Sequence, residues 1–258
     1  MDLTSITAVV TGGCSGLGYA TARALREAGA NVALFDLNAA AGESRTVELG
    51  ADNTLYCQVD VCDEQQVAQA IEQVKSRFGH IRLCVNCAGI APASRILNRD
   101  NQPAPLAGFQ QAIDINLVGS FNVARLVAQA MAEQATTDAD GERGLIVNTA
   151  SVAGYDGQIG QCAYAASKGG IIAMTLPMAR DLAALGIRVN TIAPGIMATP
   201  MLLAMPEHVQ DALAGNVPYP KRLGLPEEFA ALVLHMAGNR YLNGETIRLD
   251  GALRMPPK

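Results

Sequence analysis

The sequence predicts one doubly wound α/β domain, with a parallel sheet in the middle and helices on both faces. Two patterns favour this fold. Segments of strand character alternate with segments of helical character along the chain, and a glycine-rich turn joins the first strand to the first helix. The 258 residues, half of them hydrophobic, are enough to bury one complete core, and no repeat, low-complexity tract or linker divides them.

The predicted strands are short runs of apolar and β-branched residues bounded by polar or glycine-containing segments. In chain order they lie at Ile6–Val10, Asn31–Asp36, Thr54–Asp60, Leu83–Cys87, Leu145–Thr149, Arg188–Ala193 and Thr246–Leu249. The first predicted helix follows the glycine-rich turn and ends near Gly29, and the others lie at Ala39–Leu49, Asp63–Phe78, Leu106–Gln134, Gln161–Leu185 and Pro226–Ala237.

Local signals support several of these boundaries. Asp63 and Gln66 have the spacing of a capping pair at the start of a helix, and Pro226 is followed by two glutamates, which suits a helix N-terminus. Pro177 lies inside a predicted helix and is expected to bend it. The segments between elements are predicted as polar loops at Arg95–Pro105 and Thr136–Gly144, and as irregular chain with short helical pieces at Pro194–Pro220.

The charge distribution excludes several classes of partner. The net charge is −5 and the basic residues are scattered, so nothing predicts binding to nucleic acid or to an anionic membrane surface. Tryptophan is absent, which argues against a stacking platform for single strands. The first residues lead almost directly into a strand without a targeting pattern, and no apolar run is long enough to span a bilayer. We therefore expect a cytoplasmic protein.

The six cysteines predict neither disulfides nor a metal site. Cys84 and Cys87 have the CxxC spacing of some zinc and redox centres. A zinc site needs more ligands, however, and the three histidines form no ligand pattern with them. We expect reduced structural thiols and no bound metal.

The glycine-rich turn is the first signal of chemistry. It reads Thr-Gly-Gly-Cys-Ser-Gly-Leu-Gly from Thr11 to Gly18. Glycines let the backbone turn sharply and approach a pyrophosphate closely, and the following helix N-terminus offers unpaired N–H groups. The spacing is GxxxGxG rather than GxGxxG, and a purely structural turn is the alternative. The residues predicted to contact a dinucleotide here are Gly12, Ser15, Gly16, Leu17 and Gly18.

Asp36 ends the second strand, where this fold meets the ribose of the adenosine. A carboxylate there can accept hydrogen bonds from the ribose hydroxyls but repels a 2′-phosphate. A clash of about 3 kcal/mol corresponds to a preference of about a hundredfold, and no arginine or lysine stands at Cys14 or Leu37 to offset it. We predict NAD as the cofactor, with Asp36 and Leu37 at its ribose. A solvated aspartate at a strand end is the alternative.

The second signal is Tyr164 with Lys168, four residues apart on one face of a predicted helix. Alone it could be a surface pair, but Ser151 follows the fifth strand at the carboxyl edge of the sheet, where ligands bind. Bringing a tyrosine pKa into the neutral range needs about 4 kcal/mol. One positive charge about 5 Å away supplies about 3 kcal/mol at an effective dielectric of about 20, so Lys168 and an oxidised nicotinamide together suffice.

Together these motifs resemble the short-chain dehydrogenase/reductase family along nearly the whole chain, with a single Rossmann-type domain. The resemblance also rests on Asp60-Val61, on Asn86-Cys-Ala-Gly89 and on Pro194-Gly195. It implies that Tyr164 is the acid/base, that Lys168 holds the ribose and lowers the tyrosine pKa, and that Ser151 orients substrate. Asn116 is implied to anchor a water in a proton relay. The further cofactor contacts that it implies are Asp60, Val61, Asn86, Cys87, Ala88, Gly89, Pro194, Gly195 and Met197.

The same resemblance divides the chain into a dinucleotide-binding half, about residues 1–150, and a catalytic and substrate-binding part, about residues 151–258. The fourth-strand motif of the family is often Asn-Asn-Ala-Gly. Here Cys87 replaces the second asparagine, so the CxxC spacing is interpreted as incidental.

A narrower likeness is to the type-2 3-hydroxyacyl-CoA dehydrogenases of that family. It is carried by segments that begin at Asn148, Gly157, Thr175 and Leu249. It implies NAD-dependent oxidation of (S)-3-hydroxyacyl-CoA to 3-oxoacyl-CoA, including short or 2-methyl-branched chains, in fatty acid β-oxidation and branched-chain amino acid degradation. It also implies a homotetramer.

Several residues fit an acyl-CoA substrate. Gln158 and Gln161 lie between Ser151 and Tyr164 and are predicted to reach a thioester carbonyl, with a helix-start role as the alternative. Three methionines are candidates for an adaptable apolar lid, with ordinary packing as the alternative: Met197, Met201 and Met205. Arg95 and Arg99 are better interpreted as solvated loop charges than as ligands of CoA phosphates.

Three functions compete at this point. The first is an NAD-dependent 3-hydroxyacyl-CoA dehydrogenase. The second is another alcohol dehydrogenase of this fold, acting on a steroid or on a 3-oxoacyl carrier-protein thioester, and Asp36 opposes the NADPH that such a reductase normally prefers. The third is a non-catalytic NAD-binding scaffold, which the set of Asn116, Ser151, Tyr164 and Lys168 disfavours.

The predicted helices Leu106–Gln134 and Gln161–Leu185 are apolar around much of their circumference. One face of each covers the sheet, which leaves apolar area for another partner. Together with the last strand and the tail Leu253–Lys258, they predict a tetramer with two kinds of isologous interface. A dimer through the long helices is the alternative.

Overall fold

The structure is a computed structural model that describes residues 1–136 and 138–257. The strands are β1 Thr7–Thr11, β2 Asn31–Asp36, β3 Thr54–Gln58, β4 Leu83–Asn86, β5 Gly144–Thr149, β6 Ile187–Pro194 and β7 Thr246–Leu249. The helices are α1 Gly16–Glu27, α2 Ala39–Leu49, α3 Glu64–Phe78, α4 Leu106–Ile113, α5 Gly119–Ala132, α6 Cys162–Ala183, α7 Pro200–Leu203, α8 Glu207–Gly215 and α9 Pro226–Gly238.

Within the described residues, seven strands form one parallel sheet in the order β3-β2-β1-β4-β5-β6-β7. This confirms the doubly wound single domain predicted from the sequence. The order reverses between β1 and β4, where Thr11 lies beside both Phe35 and Asn86. The carboxyl ends of the strands therefore open a crevice at this point, which is where ligands bind in such sheets.

Two apolar layers cover the faces of the sheet. On one face, α3 and α5 contribute buried residues such as Val67, Val127 and Met131 to the larger cluster. On the other face, α1 and α9 contribute Leu25 and Phe229. The elements that surround the crevice are therefore anchored in both layers.

Several element boundaries differ from the predicted ones. β3 ends at Gln58 rather than at Asp60, and the Asp60 N–H donates instead to Gln66 Oε1 (2.9 Å). Asp63 caps α3 as expected, accepting from the N–H groups of Gln65 and Gln66. The long helix predicted after Pro105 is interrupted by a π-helical turn at Asp114–Val118. Such turns are frequently found at functional sites.

Among the residues described, no helix combines the length and the apolar character that crossing a membrane requires.

Candidate active site

The glycine-rich loop between β1 and α1 needs its glycines for steric reasons. Gly12 and Gly16 have positive φ angles of 60° and 51°, a region that favours glycine. The Gly12 N–H donates to Phe35 O (2.8 Å). A Cβ on Gly18 would lie 2.2 Å from Gly12 O, and one on Gly12 would lie 3.0 Å from Ala88 N. The backbone of the loop is thus packed so closely on itself and on Ala88 that these positions accept only glycine.

The N-terminus of α1 faces the same crevice. Ser15 is its N-cap, and the side chain of this exposed serine forms no capping hydrogen bond. The first N–H groups of a helix lack partners within the helix and carry partial positive charge. The loop and the helix start therefore form a cradle that fits the diphosphate of a dinucleotide, with Gly16, Leu17 and Gly18 in the first turn.

Asp36 is held at the end of β2 by two backbone groups. Its Oδ2 accepts from the Cys14 N–H (3.1 Å) and its Oδ1 accepts from the Asn38 N–H (3.1 Å). The neighbouring Leu37 is 63% exposed. The carboxylate is therefore fixed beside the glycine-rich loop at the end of β2, and its contact with a ribose stays a prediction.

The end of β4 forms the wall of the crevice opposite Asp36. Thr11 Oγ1 accepts from the N–H groups of Cys87 (3.1 Å) and Ala88 (3.0 Å). Asn86 is buried and donates to Asn148 Oδ1 on β5 (2.9 Å). A Cβ on Gly89 would lie 2.9 Å from Asn116 Oδ1. These bonds fix the segment that the family resemblance assigns to the cofactor.

Asp60 and Val61 follow β3 on the same edge of the sheet. Asp60 Oδ1 accepts from the Cys62 N–H (2.9 Å), and Val61 O accepts from Asn122 Nδ2 on α5 (2.9 Å). Val61 also packs against Gly119, where an added Cβ would lie 2.6 Å from its Cγ2. The pair therefore lies between the end of β3 and the start of α5.

Ser151, Tyr164 and Lys168 come together at the carboxyl ends of β5 and β6. Ser151 is buried, and its Oγ accepts from the Ala153 N–H (3.1 Å), so its hydroxyl proton is free to point toward the phenol of Tyr164. Lys168 Nζ donates to Thr149 O (2.7 Å) and lies 5.9 Å from the centre of the Tyr164 ring. The structure thus groups the predicted residues.

Burial controls the ionisation of this group. It raises the pKa of Tyr164 above the ordinary value, and the hydrogen bond from Ser151 offsets that only in part. It also lowers the pKa of Lys168 to about 8. The protein by itself therefore keeps the phenol protonated, and a further positive charge beside it is needed to make it a base near neutral pH.

Asn116 lies within the π-helical turn and is fully buried. Its Oδ1 accepts from the Ile90 N–H (2.8 Å), and its Nδ2 donates to Ile90 O (2.9 Å) and to Ser167 Oγ (3.0 Å). The side chain therefore links the segment after β4 to α6. Its main-chain oxygen accepts from Ser120 Oγ (2.7 Å). The water relay implied for Asn116 stays a prediction.

The two glutamines predicted to reach substrate have local partners. Gln158 Nε2 donates to Pro256 O (3.0 Å), and the Ile159 N–H donates to Pro257 O (3.1 Å). Gln161 Oε1 accepts from the Gln158 N–H (3.0 Å). The tail of the chain thus fastens the loop between Ser151 and Tyr164. A contact of either glutamine with substrate stays a prediction.

The segment that follows β6 is held by contacts with β7 and with Gly224. The Gly195 N–H donates to Leu249 O (2.9 Å), and Met197 forms a bridge with Gly224. Met197 is 7% exposed and packs closely on Gly224, which favours packing over a lid. Met205 is 42% exposed, and the side chain of Met201 lies outside the described residues.

The two cysteines of the CxxC pattern differ in exposure. Cys84 is fully buried, Cys87 is partly exposed, and burial raises the pKa of the Cys87 thiol to about 11. All six cysteines are free, and the described residues contain no group of three or more potential metal ligands. The two thiols are therefore protonated near neutral pH.

Comparison with known proteins agrees with this geometry. The short chain dehydrogenase family model matches residues 6–210. This chain belongs to the short-chain dehydrogenase family. It is 52% identical over 253 residues to the 3-hydroxyacyl-CoA dehydrogenase type-2 of Homo sapiens, covering 98% of this chain and 96% of that protein. Over 250 residues it is 52% identical to the protein of the same name from Drosophila melanogaster, covering 96% and 97%.

A solved structure of the same kind superimposes on this dehydrogenase. The crystal structure of 3-hydroxyacyl-CoA dehydrogenase type-2 from Mycobacterium avium has a TM-score of 0.93 and 46% sequence identity, and the match covers 98% of each chain. The fold and the order of the elements therefore agree along nearly the whole length.

Sequence reasoning missed three supports of this dehydrogenase's site. Thr11 Oγ1 binds the backbone after β4, Thr149 O accepts a hydrogen bond from Lys168, and Arg45 on α2 donates to the glycine-rich loop. The prediction considered only Cys14 and Leu37 as positions for a cation near Asp36. Arg45 Nε in fact donates to Cys14 O (3.4 Å). Its position 31 residues away along the chain gave no signal.

Proposed function

We propose that the protein is an NAD-dependent dehydrogenase that interconverts (S)-3-hydroxyacyl-CoA and 3-oxoacyl-CoA thioesters. The observation that carries the proposal is the grouping of Ser151, Tyr164 and Lys168 beside a glycine cradle at the switch point of the sheet. The high identity to proteins named for this activity supports the choice of substrate.

In the oxidative direction, Tyr164 accepts the proton of the substrate hydroxyl. The Ser151 hydroxyl lies beside the phenol, and it can turn its single proton from the phenol to the substrate oxygen and hold that oxygen there. The hydrogen bond to Thr149 O fixes the position of the Lys168 ammonium, which is placed to hold the ribose and favour the phenolate. A nicotinamide cofactor bound here would supply hydride transfer, and its oxidised ring would supply positive charge beside the phenol.

The residues present fit NAD. The close approach of Gly12 and Gly18 leaves room only for glycine, and the α1 N-terminus suits a diphosphate. The carboxylate of Asp36 can accept from the ribose hydroxyls, with Leu37 beside it. On this proposal Asp60 and Val61 contact adenine, and the 86–89 and 194–197 segments enclose the remainder of the cofactor.

The test is turnover of acetoacetyl-CoA with NADH and with NADPH. We expect kcat/KM with NADH to exceed that with NADPH at least tenfold. Comparable values would overturn the cofactor assignment. Turnover of a steroid ketone or of a 3-oxoacyl carrier-protein thioester in preference to acetoacetyl-CoA would overturn the substrate assignment.

Assembly as a homotetramer is part of the proposal. Helices α4 and α5 with the turn between them expose large apolar side chains, and so does the region of α6: Leu106, Phe109, Val118, Phe121, Leu176 and Leu185. Such area favours a partner of the same kind. Leu253 of the tail, by contrast, is buried within its own chain. Light scattering at micromolar concentration tests the mass, and a monomer would overturn this part.

Three finer points stay predictions of the same proposal. They are the division at about residue 150, the cytoplasmic location, and a role in fatty acid β-oxidation and branched-chain amino acid degradation.

A further inference from the structure

A cluster of three side chains, Arg45, Glu48 and Tyr19, lies against the glycine-rich loop at Cys14, the residue that also binds Asp36. Arg45 Nη1 is 2.5 Å from Glu48 Oε2, and its guanidinium carbon lies 4.1 Å from the centre of the Tyr19 ring. Its Nε donates to Cys14 O (3.4 Å). Contacts with α1, α2 and the glycine-rich loop therefore hold the guanidinium in place.

Cys14 connects this cluster to the predicted ribose site. Its N–H donates to Asp36 Oδ2 and its carbonyl accepts from Arg45 Nε. The carboxylate of Asp36 and the guanidinium of Arg45 thus bind the two main-chain polar groups of the same loop residue, Cys14. The carboxylate repels a phosphate on the adenosine ribose, and the guanidinium attracts it.

Arg45 is able to bind a phosphate where it lies. A guanidinium has five N–H donors in a planar fork that matches phosphate, and the bonds to Cys14 and Glu48 use only two of them. The side chain is 36% exposed. Because stacking on Tyr19 already orders it, binding requires little further loss of side-chain freedom.

We propose that Arg45 is a second determinant of cofactor choice. Its guanidinium binds an adenosine 2′-phosphate and so offsets part of the repulsion between that phosphate and Asp36. Glu48 limits this effect because it competes for the same guanidinium. The inference rests on the proposed use of NAD. It also implies that the discrimination against a 2′-phosphate is smaller than Asp36 alone would give.

The probes are adenosine 2′,5′-bisphosphate and adenosine 5′-monophosphate, titrated as competitors of NADH by its fluorescence. Asp36→Asn removes the repulsion while keeping an oxygen for Cys14. In that background we expect Arg45→Gln to weaken the bisphosphate at least tenfold and the monophosphate less than twofold. We expect Glu48→Gln to tighten the bisphosphate at least threefold.

Arg23→Gln is the matched control. Arg23 is also a partly exposed arginine, on α1, but it pairs with Glu27 and Glu227. It should change neither affinity more than twofold. In the chain with Asp36 intact, Arg45→Gln should widen the ratio of NADPH to NADH dissociation constants, which tests the idea even if Asp36→Asn does not fold.

Equal weakening of both nucleotides by Arg45→Gln would mean that Arg45 only fastens α2 to the loop, and would overturn the inference. No effect on either nucleotide would overturn it as well. A chain with Asp36 intact that binds NADPH as tightly as NADH would instead contradict the proposed use of NAD, so the two failures are distinguishable.

Discussion

The cofactor edge (residues 11–18, 36 and 86–89) and the substrate segment (residues 155–161 and 198–216) are packed in opposite ways. At the cofactor edge, backbone packs on backbone so closely that a methyl group on Gly18 would meet Gly12 O at 2.2 Å. In the substrate segment, α8 buries none of its residues, and Leu203 and Met205 are exposed.

This difference matches what each region is proposed to bind. The same dinucleotide binds in every catalytic cycle, so a rigid cofactor site does not restrict the range of substrates. Acyl groups vary, and elements with few buried contacts open and adjust at low free-energy cost. Substitutions at the cofactor edge should therefore have large effects on the whole protein, while those in the substrate segment should have small and selective ones.

The largest effect is expected for Gly18→Ala. The added methyl group would overlap Gly12 O, so the free energy of unfolding should fall by about 3 kcal/mol and NADH binding should be lost. Thermal unfolding and NADH fluorescence measure the two. Gly108→Ala is the control, because a Cβ there meets no atom within 4 Å. A Gly18→Ala protein that kept wild-type stability and NADH affinity would contradict the rigid cradle.

Tyr164→Phe should act on chemistry alone. Loss of the phenol removes the proton acceptor, so kcat should fall at least about a hundredfold while the NADH dissociation constant changes less than twofold. Tyr241→Phe, at a fully exposed position, should leave both unchanged. The acid/base role fails if Tyr164→Phe retains more than a few per cent of kcat.

Lys168 lies between the two regions and should make NADH binding depend on pH. Because its pKa is lowered to about 8, the ammonium is lost as pH rises through that value. Affinity for NADH should then weaken by about tenfold, as expected for a lost charged hydrogen bond. The Lys168→Arg variant keeps its charge, and its affinity should not weaken over the same range.

The lowered pKa of Lys168 also sets how the free energy of unfolding changes with pH. Between about 8 and the ordinary lysine value of 10.5, the unfolded chain binds more protons than the folded one. This group therefore makes the free energy of unfolding increase with pH in that window.

For the binding prediction, an NADH affinity that stays constant from pH 7 to 9.5 would argue against a charged Lys168 at the ribose.

The smallest effect is expected for Gln158→Ala. It removes the hydrogen bond to Pro256 O, which contributes about 1 kcal/mol, so the loop beside the substrate loosens. KM for acetoacetyl-CoA should rise about fivefold, with kcat and NADH affinity within twofold. Gln65→Ala on the exposed face of α3 is the control. If Gln158→Ala lowered NADH affinity, the two regions would not be separable.

Much of the site could be predicted from neighbouring residues. Glycine spacing between β1 and α1 indicates a close approach of backbone, and the four-residue spacing of Tyr164 and Lys168 places both on one helix face. Asp36 ends β2 and Ser151 follows β5, and in a parallel sheet the ends of both strands lie at the same edge. Each of these depends on local periodicity, which a single sequence carries.

Contacts between distant segments could not be predicted in this way. Buried Arg188 binds Glu142 and the carbonyls of Met236 and Leu242, although Glu142 was placed in a polar loop. Arg45 reaches Cys14, and Pro256 holds Gln158. The π-helical turn at Asn116 was likewise missed, since it satisfies bonds with Ile90 and Ser167.

The sequence by itself therefore determined the alternation of strands and helices, the glycine-rich loop and the positions of the candidate catalytic side chains, because those follow from residues a few positions apart. The tertiary structure alone decided that Arg45 reaches the glycine-rich loop at Cys14, how the tail fastens the substrate loop and which polar groups are buried together. Those depend on how loops return across the sheet, and packing of the whole domain fixes that path.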